Sequence, residues 1–375
     1  MRIGILTHFH KSTNYGGVLQ AYALCRFLND QGHSAKQILY KHSVITISTT
    51  HMTCKKLFEK VRERIKKKIY HKRNLGIKHR MEAAFLDFRE SVPHTYQEYT
   101  SETIKNVISN FDIFITGSDQ VWNPIWFDPA YMLQFVGDSA PKISYAASMG
   151  VGVLDQEQEL VFKSQISDFA GVSVREKTAS DILTTLIGKE VKVCVDPTLL
   201  LSVNEWEKIA SERLINEKYV FLYLFGEGIR VRKLAQSFAE FHGMKLVVIP
   251  DLLGKYRKND RIINSEIIND ATPSGFISLI KYADYVLTDS FHACVFSLLY
   301  HKEFFAFPRD GHIKMESRIV DLMNMFECSE RYCVEKDSGS LNYLLSCVPI
   351  DYTGEFKAFE KAKQESVDYL LKYIS

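Results

Sequence analysis

The 375-residue chain carries 46% hydrophobic and 25% charged residues at a formal net charge of +2, the make-up of a soluble globular protein. It is too long for one comfortable hydrophobic core and so predicts two domains. No apolar run approaches the roughly 18 to 20 residues needed to cross a bilayer, and seven scattered cysteines without a Cys-x-x-Cys pair argue against a disulfide framework or a zinc site and for a reducing compartment, the cytosol.

Residues 3–7 read as a first strand, because the apolar run is too short for a signal peptide and lacks a cleavage site. Residues 17–31 read as an amphipathic helix with Leu19, Ala23, Leu24, Phe27 and Leu28 on one side, followed by a strand over 34–39. Between Lys55 and Arg80, twelve basic residues stand against two acidic ones, a local balance of +10 that leaves −8 for the remainder. This basic helical insertion, about 52–92, suits either an anionic membrane surface or plain solvation of a helical face; no nucleic-acid partner is expected. Buried strands follow over 111–116, 142–146, 171–174 and 191–195. Their alternation with helices predicts a parallel, doubly wound sheet. Pro197 and a short helix containing Trp206 break the rhythm. A fresh series then places strands at 219–225, 245–249, 285–288 and 304–307, with helices at 229–241, 274–281, 293–300 and 355–373. The expected fold is α/β: two doubly wound Rossmann-like domains, residues 1–200 and 218–375, joined by a linker at 201–217 and facing a cleft where a ligand would bind.

Several polar clusters fall at strand ends. Asp289-Ser290-Phe291-His292-Ala293 lies between a strand and a helix, where free N–H groups suit an anion and a histidine can transfer a proton; Ser290 can equally be a helix cap and His292 a hydrogen-bonded structural residue. Asn14, Tyr15, Gly16 and Gly17 sit before the first helix. That Gly-Gly turn allows close backbone approach without matching a P-loop or a dinucleotide fingerprint. Ser118, Asp119, Gln120, Trp122 and Asn123 combine hydroxyl, carboxylate, amides and indole in the manner of a carbohydrate site, or of an Asx-type turn. Arg175, followed by Glu176 and Lys177, emerges at a strand end, where its guanidinium can grip a carboxylate or phosphate, or pair with a neighbouring carboxylate. Arg309, His312, Lys314 and Arg318 add cations beyond the last strand; of these, Arg318 is the one read as a site residue.

Taken together, these blocks resemble the polysaccharide pyruvyl transferase family. The resemblance rests on residues 13–24, 117–124, 144–150, 173–177 and 196–200 and on the Asp289–Ala293 pentapeptide, six segments in order. It implies a two-domain fold like that of GT-B glycosyltransferases, with the N-terminal domain on the acceptor side and the C-terminal domain on the donor side. It also implies transfer of the pyruvyl group of phosphoenolpyruvate to sugar hydroxyls as a cyclic ketal, on a surface polysaccharide or its lipid-linked precursor. By motif match, Arg175 would bind the donor's carboxylate or phosphate and His292 would be the proton donor or a phosphate contact; the chemistry also needs a carboxylate, Asp119 or Asp289, and Asp119 is taken as catalytic with His292 and Arg175. Arg175, Lys177, Ser290, His292 and Arg318 would meet the donor, and Asn14, Tyr15, Gly16, Gly17, Ser118, Gln120, Trp122 and Asn123 the acceptor. No metal or cofactor is expected. In well-known members the histidine follows Arg-Leu, whereas here it follows Ser290-Phe291, so the cation expected beside the donor must come from Arg318, Arg309 or Lys177. The alternatives are a GT-B glycosyltransferase using a sugar nucleotide and a non-catalytic carbohydrate-binding relative. The expected location is the cytoplasm, with the basic segment at the inner membrane face.

Overall fold

The first strand, β1 (Arg2–Leu6), is buried from Ile3 to Leu6, and a strand buried on both faces belongs inside a parallel sheet. It pairs in parallel with β2 (Ser34–Gln37) and β3 (Ile113–Thr116), and β4 (Lys142–Ser144) extends the sheet to the order β2-β1-β3-β4. A short parallel pair, β5 (Ser173–Val174) and β6 (Lys192–Val193), continues along the edge of β4 through the bridges Ile143–Gly171 and Ala147–Val174. The computed structural model describes residues 1–42, 74–261, 263–309, 317–334 and 339–374. Most of the expected basic helix falls on residues 43–73, outside the described residues, as do His312 and Lys314.

A second parallel sheet is built from β7 (Tyr219–Tyr223), β8 (Lys245–Val248), β9 (Glu266–Ile267), β10 (Tyr285–Thr288) and β11 (Glu303–Ala306), in the order β11-β10-β7-β8-β9. The helices that cover the first sheet are α1 (Tyr15–Asp30), α2 over 74–91, α3 (Gln156–Ile166) and α4 (Lys177–Ile187). Beyond α5 (Val203–Glu207) come α6 (Ile229–Phe241), α7 (Pro273–Lys281), α8 (Phe291–Leu299), α9 (Ser317–Met325), α10 (Leu341–Ser346) and α11 (Lys357–Ile374). This is the doubly wound α/β architecture expected from the sequence. The differences lie at element ends. The strand expected over 191–195 stops at Val193, because the Val195 N–H turns to the Ser366 hydroxyl instead of a neighbouring strand. β9, two residues long, has no apolar run to announce it.

The two sheets share one apolar core. Tyr15 at the start of α1 stacks on Phe276 of α7 at 4.8 Å, and its hydroxyl donates to the Ala271 carbonyl. Trp206 of α5 meets Phe296 of α8 edge-on at 4.9 Å. Helix α11 then returns to the first sheet: Ser366 accepts from the Val195 N–H at 2.9 Å, and the Tyr369 hydroxyl donates to the Ser144 carbonyl. Phe359, on the same helix, stacks on Phe326 near the second sheet. With this packing, the loops leaving the carboxyl ends of β1, β3, β7, β10 and β11 meet over one cavity.

The Ser366→Ala variant strands the buried Val195 N–H. An unsatisfied buried donor costs about 1–3 kcal/mol, so the urea midpoint should fall with the slope unchanged. An unshifted midpoint would show that α11 does not hold the first domain together.

Candidate active site

The cavity, about 200 Å3, is lined from the first sheet by His8, Asn14, Asp119, Gln120 and Trp126, and from the second by Ser290, Phe291, His292, Arg309 and Arg318. Beneath it lies Asp196, 1% exposed, in the turn after β6. Its Oδ1 accepts from the Thr198 N–H at 3.0 Å and the Thr198 hydroxyl at 2.7 Å. Its Oδ2 accepts from Arg175 Nη1 at 2.6 Å and from the Ser118 hydroxyl at 3.1 Å, and stands 3.5 Å from His292 Nε2. Burial alone would raise the Asp196 pKa. His292, Arg175 and Thr198 outweigh that and hold the carboxyl well below the ordinary range.

His292 sits in the first turn of α8, capped by Ser290, whose hydroxyl accepts from the Ala293 N–H. A Cβ at Gly16 would lie 2.0 Å from His292 Nδ1, so glycine at that position lets α1 approach the imidazole. Phe291 carries two guanidinium groups against its ring, Arg175 at 4.5 Å and Arg318 at 5.9 Å. Burial works against the Arg175 charge, but Asp196, Glu176 and Asp119 outweigh it and raise its pKa. Arg318 differs. Burial first, then Arg175 and Arg309, press its pKa down to about 10, against the pull of Glu176 and Asp119. Gln120, with its amide oxygen turned toward Arg318, accepts from Nη1 at 2.7 Å. Among the described residues, Arg318 Nε and the Arg175 Nε and Nη2 groups have no hydrogen-bond partner. A crowd of buried guanidinium donors beside a cavity is the electrostatic signature of an anion site.

On the opposite wall, Asp119 adopts a left-handed backbone at φ 66°, and its Oδ1 accepts from the Gln120 N–H at 2.9 Å. Burial opposes its charge, yet His8, His292, Arg175 and Arg318 hold its carboxyl below the ordinary value. His8 Nδ1 stands 3.9 Å from Asp119 Oδ2.

Of the residues singled out from the sequence, the structure brings Asn14, Asp119, Gln120, Ser290, His292 and Arg318 to the cavity wall. Gly16 and Gly17 press against His292 and Asp119 from behind. Arg175 lies under the wall, committed through Nη1 to Asp196. The others serve the scaffold. The role expected of Trp122 needs correction: its indole is fully buried, donates to the Tyr131 carbonyl, and packs edge-on against Phe162 and Phe169, so no ring face is free for a sugar. Trp126 is the aromatic at the cavity, with its indole N–H fixed on the Gln120 carbonyl. Ser118 supports Asp196, Asn123 caps the turn that begins at Pro124, and Tyr15 belongs to the contact between the domains. Lys177 is exposed and pairs with Asp181, away from the cavity, so among the described residues the arginines at the wall are Arg318 and Arg309. Asp289 accepts from the Phe225 and Gly226 N–H groups, pinning β10 to the loop after β7. Sequence reading passed over His8, Trp126 and the hub role of Asp196. The signal for His8 was its place directly beyond a buried strand.

The family model described as polysaccharide pyruvyl transferase matches residues 14–311. No curated protein is significantly similar in sequence. Among solved structures, the UDP-GlcNAc 2-epimerase from Methanocaldococcus jannaschii superposes with a TM-score of 0.54 at 11% identity, covering 100% of both chains. S. aureus MnaA, solved with UDP, gives 0.53 at 12% identity, covering 99% of this chain and 97% of its own. The Neisseria meningitidis UDP-GlcNAc 2-epimerase bound to UDP-GlcNAc gives 0.51 at 11%, covering 99% and 100%. At these identities the likeness is one of fold, and the fold is GT-B-like with two Rossmann-like domains.

Removing the carboxylate in Asp196→Ala leaves Arg175 buried without its counter-ion, a loss of about 3–5 kcal/mol at neutral pH. Because the folded-state pKa is depressed, the contribution is present above the ordinary carboxylate value of about 3.9 and is lost as pH falls below it. Urea titrations at neutral and acid pH should therefore show the gap between variant and wild type closing in acid; a gap that widened there would remove Asp196 from the hub.

Proposed function

The chain belongs to the polysaccharide pyruvyl transferase family and is a transferase, and from that premise we propose that it moves the pyruvyl group of phosphoenolpyruvate onto two hydroxyls of a sugar, closing a cyclic ketal. The observation that carries this reading is the cluster of guanidinium groups at and beneath the cavity wall, where, among the described residues, Arg318 Nε and Arg175 Nε and Nη2 have no hydrogen-bond partner. Burial first, and then the repulsion of Arg175 and Arg309, depress the Arg318 pKa against the pull of Glu176 and Asp119. A trianionic donor would relieve that repulsion through charge-assisted hydrogen bonds, with the first-turn N–H groups of α8 adding to them. Arg318 and Arg309 line the same cavity as Ser290, which occupies the position of the arginine in the family pattern, and so can supply the missing cation.

In the proposed reaction His292 protonates the methylene carbon of the enol phosphate, and Asp196, which stays ionised, stabilises the charged imidazole. The resulting oxocarbenium centre takes one sugar hydroxyl. Loss of phosphate regenerates such a centre, and the second hydroxyl closes the ring. Preorganised guanidinium groups stabilise the departing phosphate without reorganising in the transition state. The acceptor is a sugar of a polysaccharide or of its lipid-linked precursor. The basic run from Lys55 to Arg80 supports attachment to an anionic membrane face where such precursors are assembled; among the described residues no helix is long and apolar enough to cross a membrane.

Calorimetric titration tests the donor. Phosphoenolpyruvate should bind wild type, and Arg318→Ala should weaken it roughly 10- to 100-fold, the worth of a charge-assisted bond of about 1.5–3 kcal/mol. Heat from UDP and none from phosphoenolpyruvate would replace pyruvyl transfer with sugar-nucleotide chemistry.

Membrane attachment is checked by cosedimentation with phosphatidylglycerol vesicles. Binding is expected at low ionic strength with release as salt shortens the Debye length. Protein left in the supernatant at low salt removes the membrane from the account.

A further inference from the structure

Ketal formation needs two protons delivered and two removed. Two C–O bonds and one C–H bond form, and the C–O bond to phosphate breaks with its electron pair leaving on phosphate. Both acceptor hydroxyls lose a proton; one proton is gained by the methylene carbon and the other ends on the departing phosphate. A base on the acceptor side takes these hydroxyl protons directly: it passes the first to the departing phosphate and loses the second to solvent, from which His292 regains the proton it gave to carbon.

We infer that His8 is this base, the catalytic residue that receives the acceptor's hydroxyl protons, with Asp119 as the carboxylate that steadies the imidazolium it becomes. The assignment rests on the pyruvyl-transfer reading and deepens it. His8 lies just beyond β1, lines the cavity, and keeps 24% of its side chain exposed. Its ring is held edge-on by Tyr131 at 4.9 Å and His42 at 5.6 Å, which fixes its orientation as a base requires. The groups that face it are Asp119, at 3.9 Å from Nδ1, His42, and Asp128, which stands behind His42 with Oδ2 3.5 Å from the His42 Nδ1. Burial pushes the His8 pKa down, Asp119 pulls it up and His42 pushes it down again. The balance lies below the ordinary value, so the ring is neutral and able to accept at pH 7.

The other carboxylates at the cavity are poorer bases. Asp119 is held below the ordinary carboxylate range and already accepts the Gln120 N–H. Both oxygens of Asp289 are taken by the N–H groups of Phe225 and Gly226. Asp196 is sealed beneath the wall. The cavity thus holds two histidine–aspartate pairs, His292 with Asp196 and His8 with Asp119, in surroundings different enough to divide acid and base work.

Cell envelopes from a strain deleted for the gene supply the native, unmodified acceptor. Phosphoenolpyruvate labelled in its pyruvyl carbons reports transfer by purified wild type, His8→Gln, His8→Ala and His10→Gln. His10, two residues on, lies 3.4 Å from Glu98 and does not line the cavity, so its variant should match wild type. In wild type, transfer should fall as pH drops through the His8 pKa, below about 6.5. His8→Gln should transfer about 100-fold more slowly or worse and lose that acid limb, while binding phosphoenolpyruvate as wild type does by calorimetry. Added imidazole should restore part of the His8→Ala rate. The assignment is overturned if His8→Gln transfers within about threefold of wild type, if it keeps the acid limb, or if its loss is matched by lost donor affinity. A wild type that binds no phosphoenolpyruvate and moves no label overturns the pyruvyl-transfer reading itself, a result distinct from any of these.

Discussion

One buried carboxylate sets the geometry on which the site depends. Asp196 draws together a hydroxyl from the loop after β3, a guanidinium from the end of β5 and an imidazole from α8, three segments distant in sequence and split between the two sheets. A charge so far from water is tolerable only where its partners nearly surround it. Arg175, Ser118 and Thr198 all reach Asp196 from the first sheet's side, and the His292 imidazole comes from the second, so it is through His292 that this carboxylate ties the placement of the domains to the chemistry. The apolar contacts of Tyr15 with Phe276 and of Trp206 with Phe296 supply the cohesion, while Asp196 supplies the register.

Charge around the cavity is balanced unevenly. Beneath the wall, Arg175 has its counter-ion and gains in proton affinity, whereas Arg318, at the surface of the cavity, loses it to burial and to its cationic neighbours. The protein thus pairs the cation it uses as structure directly with Asp196, while the one that faces incoming substrate is drawn on by Glu176 and Asp119 and held by the Gln120 amide. Aromatic rings add to this: Phe291 has Arg175 at 4.5 Å and Arg318 at 5.9 Å from its centre, and Phe225 has Arg309 at 4.6 Å, each softening a positive charge without neutralising it.

Much of the fold was legible because parallel strands buried on both faces write themselves as apolar runs, as in 3–7, 111–116 and 285–288. Strand ends were less legible. Where a backbone donor such as that of Val195 finds a side chain from the far end of the protein, no local pattern records it. The same division holds for the site. His292 and Ser290 could be found because a helix N-terminus after a buried strand has a sequence signature. The residues around Asp119 formed a polar cluster, but polarity alone did not separate Gln120, at the cavity, from Ser118 and Asn123, which brace the scaffold. Trp122 and Trp126 are four residues apart, and only packing decides which ring is entombed and which meets the cavity. Asp196 could be read as a turn residue before proline; its partners are brought to it by tertiary structure alone.

The return of α11 to the first sheet has a consequence for how the molecule comes into being. Tyr369 and Ser144 are bonded across 225 positions of chain, and Ser366 completes the strand-end hydrogen bonding of Val195. A ribosome releases the first sheet long before it releases the helix that seals its edge. The N-terminal half therefore waits, with part of its backbone unsatisfied, until the whole second domain has been made. Contacts of such sequence separation are slow to form, and a chain paused between the two would present an open edge of the kind that chaperones recognise.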